Sequence, residues 1–210
     1  MDVVRLDGGP WGQNCYLLIS EDTAVLVDPG GNATGILNEI KERSLRLTAI
    51  INTHGHFDHI GGVTEIVEKT SVPFYISGME LPIMKSANML RYIFKYKEKV
   101  LVPNQFEDLD LTGNILHFNN LVIQIIRTPG HTPGGCCFIA DNQIFTGDTV
   151  LNSMPGSAEL PGGNADDLFE SLNALKSLDG KLIAHPGHGR SSLLSDSLKS
   201  SMNWINSRSV

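Results

Sequence analysis

With 210 residues, 41% of them hydrophobic and 19% charged, the chain has the composition of a globular protein of one domain, residues 1–210, and not of a disordered one. A net charge of −7 argues against a nucleic-acid partner, since phosphate binding needs clustered Lys and Arg. No window approaches the roughly 18 uninterrupted apolar residues of a membrane helix, and "MDVVRLDGGPW" lacks the basic and apolar regions of a signal peptide, so the expectation is a cytoplasmic protein with no membrane association.

Strand patterns come first: "VVRL", "NCYLLIS" and "AVLVD", separated by Gly-Pro and Glu-Asp-Thr turn residues. A helix is predicted from about Ala33 to Ser44, with Ile36, Leu37 and Ile40 on one face and Asn32 as its N-cap. "LTAIINT" reads as a strand, Gly62 to Lys69 as a second helix and "VPFYIS" as another strand. Met79 to Lys99 is Met-rich, aromatic and basic. Its Arg91, Lys95, Lys97 and Lys99, set among Tyr92, Phe94 and Tyr96, fit either a lid that receives an acidic, partly apolar substrate or an amphipathic surface or dimer-contact helix. The second half repeats the logic with "ILHF", "LVIQIIRT", "GCCFIA" and "QIFTGD", a helix from Asp166 to Leu178, the strand "KLIAH" and a closing helix near Ser195 to Asn206. Two blocks of strands, each accompanied by helices, predict two β-sheets packed together with helices on their outer faces.

Cys136 and Cys137 are neighbours on a strand and face opposite sides of its sheet. With Cys15 they make no disulfide framework, and all three read as small core residues.

The chemistry concentrates in "INTHGHFDHIGG", where His54, His56, Asp58 and His59 fall within six consecutive residues. An apolar strand ends just before them and Gly61-Gly62 leads into a helix, so they are placed on a loop at a strand's C-terminal end, a rigidly based position for functional groups. In extended chain alternate residues share a side, which lets His54 and His56 converge on one ion, while Asp58 and His59 point towards a second. Further ligands for two ions stand at other strand ends: His131 in "TPGHTPGG", Asp148 in "FTGDT" and His188 in "HPGHG". Five of the seven histidines belong to this set. His117, inside a strand pattern, reads as a structural or surface residue, and His185 as a supporting or structural one.

These motifs resemble the metallo-β-lactamase superfamily, and within it the short glyoxalase II-like hydrolases. "NCYLL", "VDPGG", "THGHFDHIGG", "TPGHTPGG", "FTGDT", "LPGG" and "HPGHG" occur in that family's order over nearly the whole chain. The resemblance implies an αββα sandwich with its site at one edge between the sheets. It implies a first metal on His54, His56 and His131, a second on Asp58, His59 and His188, and Asp148 bridging the pair. Imidazole and carboxylate ligands suit two divalent ions, zinc first, with iron or manganese as alternatives. Two such ions lower the pKa of a shared water from about 15.7 towards about 7, giving a nucleophilic hydroxide that Asp58 would orient and relieve of its proton. The implied reaction is hydrolysis of a small-molecule acyl compound, a thioester first. A homo-oligomer is compatible with this reading.

The chain departs from the family in three places, one of them the Met79 to Lys99 segment described above. It ends soon after His188, without the C-terminal helical domain of glyoxalase II, and Ser157 stands in "GSAELPGGN" where short relatives carry a basic residue. A secreted β-lactamase, a flavodiiron reductase and an RNA-processing nuclease fit the ligand set, length or charge less well. Two alternatives share the motifs: a persulfide dioxygenase, with one iron on His54, His131 and Asp148, and a lactone hydrolase.

Overall fold

The computed structural model describes residues 1–9 and 12–208. Six strands, β1 (Asp2–Asp7), β2 (Asn14–Ser20), β3 (Thr23–Val27), β4 (Arg46–Ile51), β5 (Phe74–Ile76) and β6 (Glu107–Asp108), lie side by side in chain order. The first three pair antiparallel, and β3 to β6 run parallel. The second sheet holds β7 (Ile115–Phe118), β8 (Leu121–Arg127), β9 (Cys136–Ala140), β10 (Gln143–Gly147), β11 (Ile183–Pro186) and β12 (Ser192–Leu193), again in chain order. It is antiparallel except where β10 and β11 run parallel. Parallel neighbours need a crossover on a sheet face, and helices supply it. These are α1 (Ala33–Glu42), α3 (Val63–Thr70) and α4 (Leu81–Ile93) on the first sheet, and α5 (Ala165–Leu175) on the second. A single-turn α2 (Phe57–Ile60) and the closing α6 (Leu194–Arg208) complete the set.

Side-chain alternation sorts each strand's residues between two layers. Tyr16, Leu18, Val25, Val27, Ala49 and Ile51 meet Leu116, Ile123, Ile125, Cys136, Phe138 and Phe145 between the sheets. The opposite faces of the same strands, through Leu17, Leu26 and Ile50, bury Ile36, Ile66 and Met84 of the covering helices. Cys137, Ile144 and Ala184 do the same against Leu168, Leu172 and Leu198 of α5 and α6. The architecture is the expected αββα sandwich. Cys136 lies in the inter-sheet core and Cys137 in the outer one, as alternation predicts, and all three cysteines are free and buried. Asn32 caps α1 by accepting from the Gly35 amide at 3.3 Å.

The structure alters three expectations. Asp58 and His59 sit on the single helical turn α2 and not on an irregular loop. The helices α1 and α5 are shorter than predicted, ending at Glu42 and Leu175. The Met79 to Lys99 segment is a regular helix from Leu81 to Ile93, with Ile83, Met84, Ala87 and Leu90 buried. Among the described residues no helix is long and apolar enough to cross a membrane.

Candidate metal centre

Four strands end at one edge of the sandwich. The chain leaves β4 into His54 and His56 and then α2, leaves β8 into the loop of His131, leaves β10 directly into Asp148, and leaves β11 into the loop of His188. All seven expected residues meet there. His54, His56 and His131 form one group whose donor atoms lie within 4.8 Å of one another, and Asp58, His59 and His188 form a second. Asp148 stands between them: its Oδ2 is 3.6 Å from both His131 Nε2 and His188 Nε2, and its Oδ1 is 3.6 Å from His59 Nε2. Asp58 Oδ2 lies 3.3 Å from His188 Nε2 and 3.9 Å from His59 Nε2. Two ligands about 2.0–2.1 Å from a tetrahedral ion stand about 3.4 Å apart, so these spacings suit shared ions.

Hydrogen bonds around the cluster fix which nitrogens face inward. His131 Nδ1 is 2.7 Å from the Ser157 carbonyl oxygen, which only accepts, so Nδ1 carries the proton and Nε2 the lone pair. Asp28 does the same for two more imidazoles. Its Oδ1 accepts from the Thr53 amide (2.7 Å), and its Oδ2 accepts from the Thr53 hydroxyl (2.6 Å) and from His59 Nδ1 (3.1 Å). With its proton committed to Asp28, Thr53 Oγ1 accepts from His54 Nδ1 at 3.0 Å. One buried carboxylate therefore sets the tautomers of His54 and His59. Asp28 also groups with His54 and His59 as a potential ligand trio, but its oxygens are already filled by these three donors.

What remains at the centre is a set of unpartnered acceptors. His54 Nε2, His56 Nε2, His59 Nε2 and Asp148 Oδ1 are buried without a hydrogen-bond partner, while His56 Nδ1 and His131 Nε2 contact each other at 3.0 Å. Buried polar atoms are rarely left unpaired, and lone pairs converging on one point ask for a cation. The ionisation pattern agrees. Burial and the neighbouring imidazole of His131 push His56 down to about 3, and burial with the surrounding imidazoles holds His54 well below the usual range. Burial also works against charge on His59, but Asp58, Asp148 and Asp28 outweigh it and raise it to about 10. For Asp58, burial opposes ionisation, while His59 and His188 pull it well below the usual carboxylate range. The donor set fits two divalent ions.

Several supports were invisible in the ligand motifs. Glu80, fully buried, accepts from the Gly55 amide, between His54 and His56, and from the Gly134 amide beyond His131, each at 2.7 Å. Asn14 and Tyr16 of β2 grip the His188 loop: Asn14 Nδ2 donates to the Pro186 and Gly189 carbonyls (2.8 and 3.0 Å) and Tyr16 Oη to Pro186 (2.7 Å). Gly187 is required by contact, since a Cβ there would run into Asp148 Oδ1 and His59 Cε1. His185 faces away, bonded to Gln143 Oε1 (2.6 Å) and Ser191 Oγ (2.8 Å) and stacked on Phe145. His117 is exposed on β7. At Ser157 it is the main-chain carbonyl that acts on the site, while the hydroxyl accepts from the Glu159 amide.

The profile of the metallo-beta-lactamase superfamily matches residues 8–188. The chain belongs to the metallo-beta-lactamase superfamily. At that level it is a metal-dependent hydrolase with that superfamily's fold. Among its relatives, the probable metallo-hydrolase YqgX of Bacillus subtilis is 32% identical over 193 residues, covering 88% of this chain and 89% of that protein. The probable polyketide biosynthesis zinc-dependent hydrolase BaeB of Bacillus velezensis is 29% identical, covering 85% and 73%. The crystal structure of TTHA1623 in a di-iron-bound form superposes with a TM-score of 0.84 at 30% identity, over 96% of this superfamily member and 98% of that chain.

Proposed function

We propose that this chain is a binuclear hydrolase of thioesters or closely related acyl compounds. His54, His56 and His131 would hold one divalent ion and Asp58, His59 and His188 the other, with Asp148 placed to serve both. The observation that carries this reading is the set of inward-facing, unpartnered nitrogens with Asp148 within 3.6 Å of members of both groups. Zinc is the first choice of metal, supported by the zinc-dependent hydrolase among the relatives, and the di-iron form of TTHA1623 keeps iron next.

When bound, the two ions supply Lewis acidity and a water acidic enough to ionise near neutral pH. The side chains contribute the rest. Asp28 and Thr53 keep His54 and His59 oriented, so the site is built before substrate arrives. Asp58 lines the mouth of the site and stays ionised beside His59 and His188. It orients the attacking water and accepts its proton. Phe57 and Leu90 close one side of that mouth and exclude bulk water. The three cysteines play no part: burial raises each thiol, and Cys137 is pushed up to about 11.

Metal analysis and S-lactoylglutathione hydrolysis on the same purified sample test the proposal. Two ions per chain with thioester cleavage support it. One iron per chain with O₂ uptake on glutathione persulfide would assign the dioxygenase chemistry instead, and turnover of lactones with no thioester cleavage would assign a lactonase.

A further inference from the structure

The mouth above the ligand cluster has an apolar wall. Phe57 comes from α2, Leu90 from α4, Phe94 from the turn that follows it and Leu160 from the loop before α5. With the cluster residues they line a half-open cavity of about 200 Å³. Phe57 and Phe94 stack with ring centres 6.0 Å apart, and Tyr96 lies 5.8 Å from Phe57. No Lys or Arg is among the described residues lining this cavity, and the carboxylates on its floor are Asp58 and Asp148.

Arg91, in the same segment, is used elsewhere. Arg91 turns back on its own chain: Nε donates to Asn88 Oδ1 at 2.7 Å, and Nη1 donates to the Tyr96 and Lys97 carbonyls at 3.0 and 3.3 Å. Asn88 Oδ1 also accepts from the Val100 amide at 3.1 Å. The guanidinium braces the turn that presents Phe94 and Tyr96, so it is not poised to receive an anionic substrate. Outside the cavity, Met89 and Ile93 of the same helix are exposed by 54% and 61%.

We propose that this site selects a thioester whose acyl group is a short apolar chain, and that Phe57, Leu90, Phe94 and Leu160 make the selection. The inference rests on the thioesterase reading above and names its substrate class. The volume decides which half of the thioester enters. The cavity, whose floor the ions would share, is smaller than the roughly 300–1,000 Å³ that drug-sized ligands need. The acyl chain therefore fills it, and a cofactor-sized thiol stays outside. In the reaction the water oxygen bonds to the carbonyl carbon as the C–S bond breaks. The water's proton passes by way of Asp58 to the departing sulfur, leaving a carboxylic acid and a thiol. An acyl group whose far end is a carboxylate would lose its hydration against apolar walls that carry no Lys or Arg.

The test uses the metal-loaded full chain and N-acetylcysteamine thioesters carrying acetyl, butanoyl, hexanoyl and succinyl groups. Each methylene buried on this wall is expected to raise kcat/KM about fourfold, up to about hexanoyl. Succinyl should fall at least about tenfold below butanoyl. Leu160→Ala and Phe94→Ser flatten the dependence on chain length. Titration calorimetry with non-hydrolysable alkyl thioether analogues gives a second readout, with affinity rising with chain length and a negative heat-capacity change. Thioester cleavage that is flat with chain length, or that favours succinyl, overturns the apolar selection and leaves the thioesterase reading standing. If no member of the series is cleaved, that reading falls and this inference falls with it.

Discussion

Glu80 joins two loops that supply three of the seven expected ligands, and its removal should be felt in both stability and metal affinity. Its two oxygens each accept one backbone N–H, from Gly55 and from Gly134, in a fully buried setting. In Glu80→Gln one acceptor becomes an NH₂ group, so one buried amide loses its partner. An unpaired buried donor costs about 1–3 kcal/mol, and each kcal/mol moves Tm by about 2–4 °C in a protein of this size. Taking about 2 kcal/mol, the Gln variant should melt about 4–8 °C lower. Glu80→Leu strands both amides and should roughly double the loss. Because the freed amides flank His54, His56 and His131, metal affinity should also fall, by about 10–100-fold as for other supports of ligand orientation. Thermal unfolding by circular dichroism on metal-free protein and chelator competition on loaded protein read the two effects separately. A Leu variant with wild-type Tm and wild-type metal affinity would refute the clamp.

Asp28→Asn leaves one carbonyl oxygen for the three donors that Asp28 now satisfies, so one imidazole loses its tautomer control. Chelator competition should show a loss of about 10–100-fold in metal affinity, and an unchanged value would show that Asp28 does not orient the ligands. His185, which burial lowers to about 4, is neutral in the fold and titrates near 6.5 when unfolded. Protonation therefore favours unfolding, so this contribution is intact above about pH 6.5 and is lost as pH falls towards 4, by up to about 3 kcal/mol. Urea unfolding at stepped pH should give a shallower acid slope for His185→Gln than for the wild type; equal slopes would contradict the assignment. The buried thiols of Cys15, Cys136 and Cys137 should resist a disulfide reagent in native buffer and all react in denaturant, whereas one fast native thiol would reopen a nucleophilic role.

The ligands were legible in the sequence because each group follows an apolar strand pattern and five of the seven, His54, His56, His131, Asp148 and His188, adjoin a Gly, so strand ends and ligand positions mark each other. Two layers of strands followed from the same alternation, down to the opposite faces taken by Cys136 and Cys137. The supports were hidden for a different reason: their partners are distant in sequence. Asp28 reaches Thr53 and His59 from a left-handed backbone position (φ 51°), and nothing local in "VDPGG" announces those bonds. Glu80 lies in a segment whose apolar residues imply an amphipathic helix, a pattern that places a carboxylate in solvent and not, as here, beneath two loops. Helix α2 has four residues, too few to nucleate alone, so it forms only in its tertiary setting and shows no sequence period. Strands β6 and β12, two residues each, are likewise too short to display alternation. Within residues 79–99 the partners of Arg91 were hidden in the same way, since they are carbonyls of the turn that follows its helix.

Metal stoichiometry measured with thioester turnover on one preparation bears most directly on the proposed binuclear centre. Elemental analysis of the wild type should return two divalent ions per chain together with hydrolysis that needs no O₂, and His59→Ala should retain fewer ions and lose turnover. A single iron per chain, or full turnover in His59→Ala, would contradict a hydrolase built on two ions bridged by Asp148.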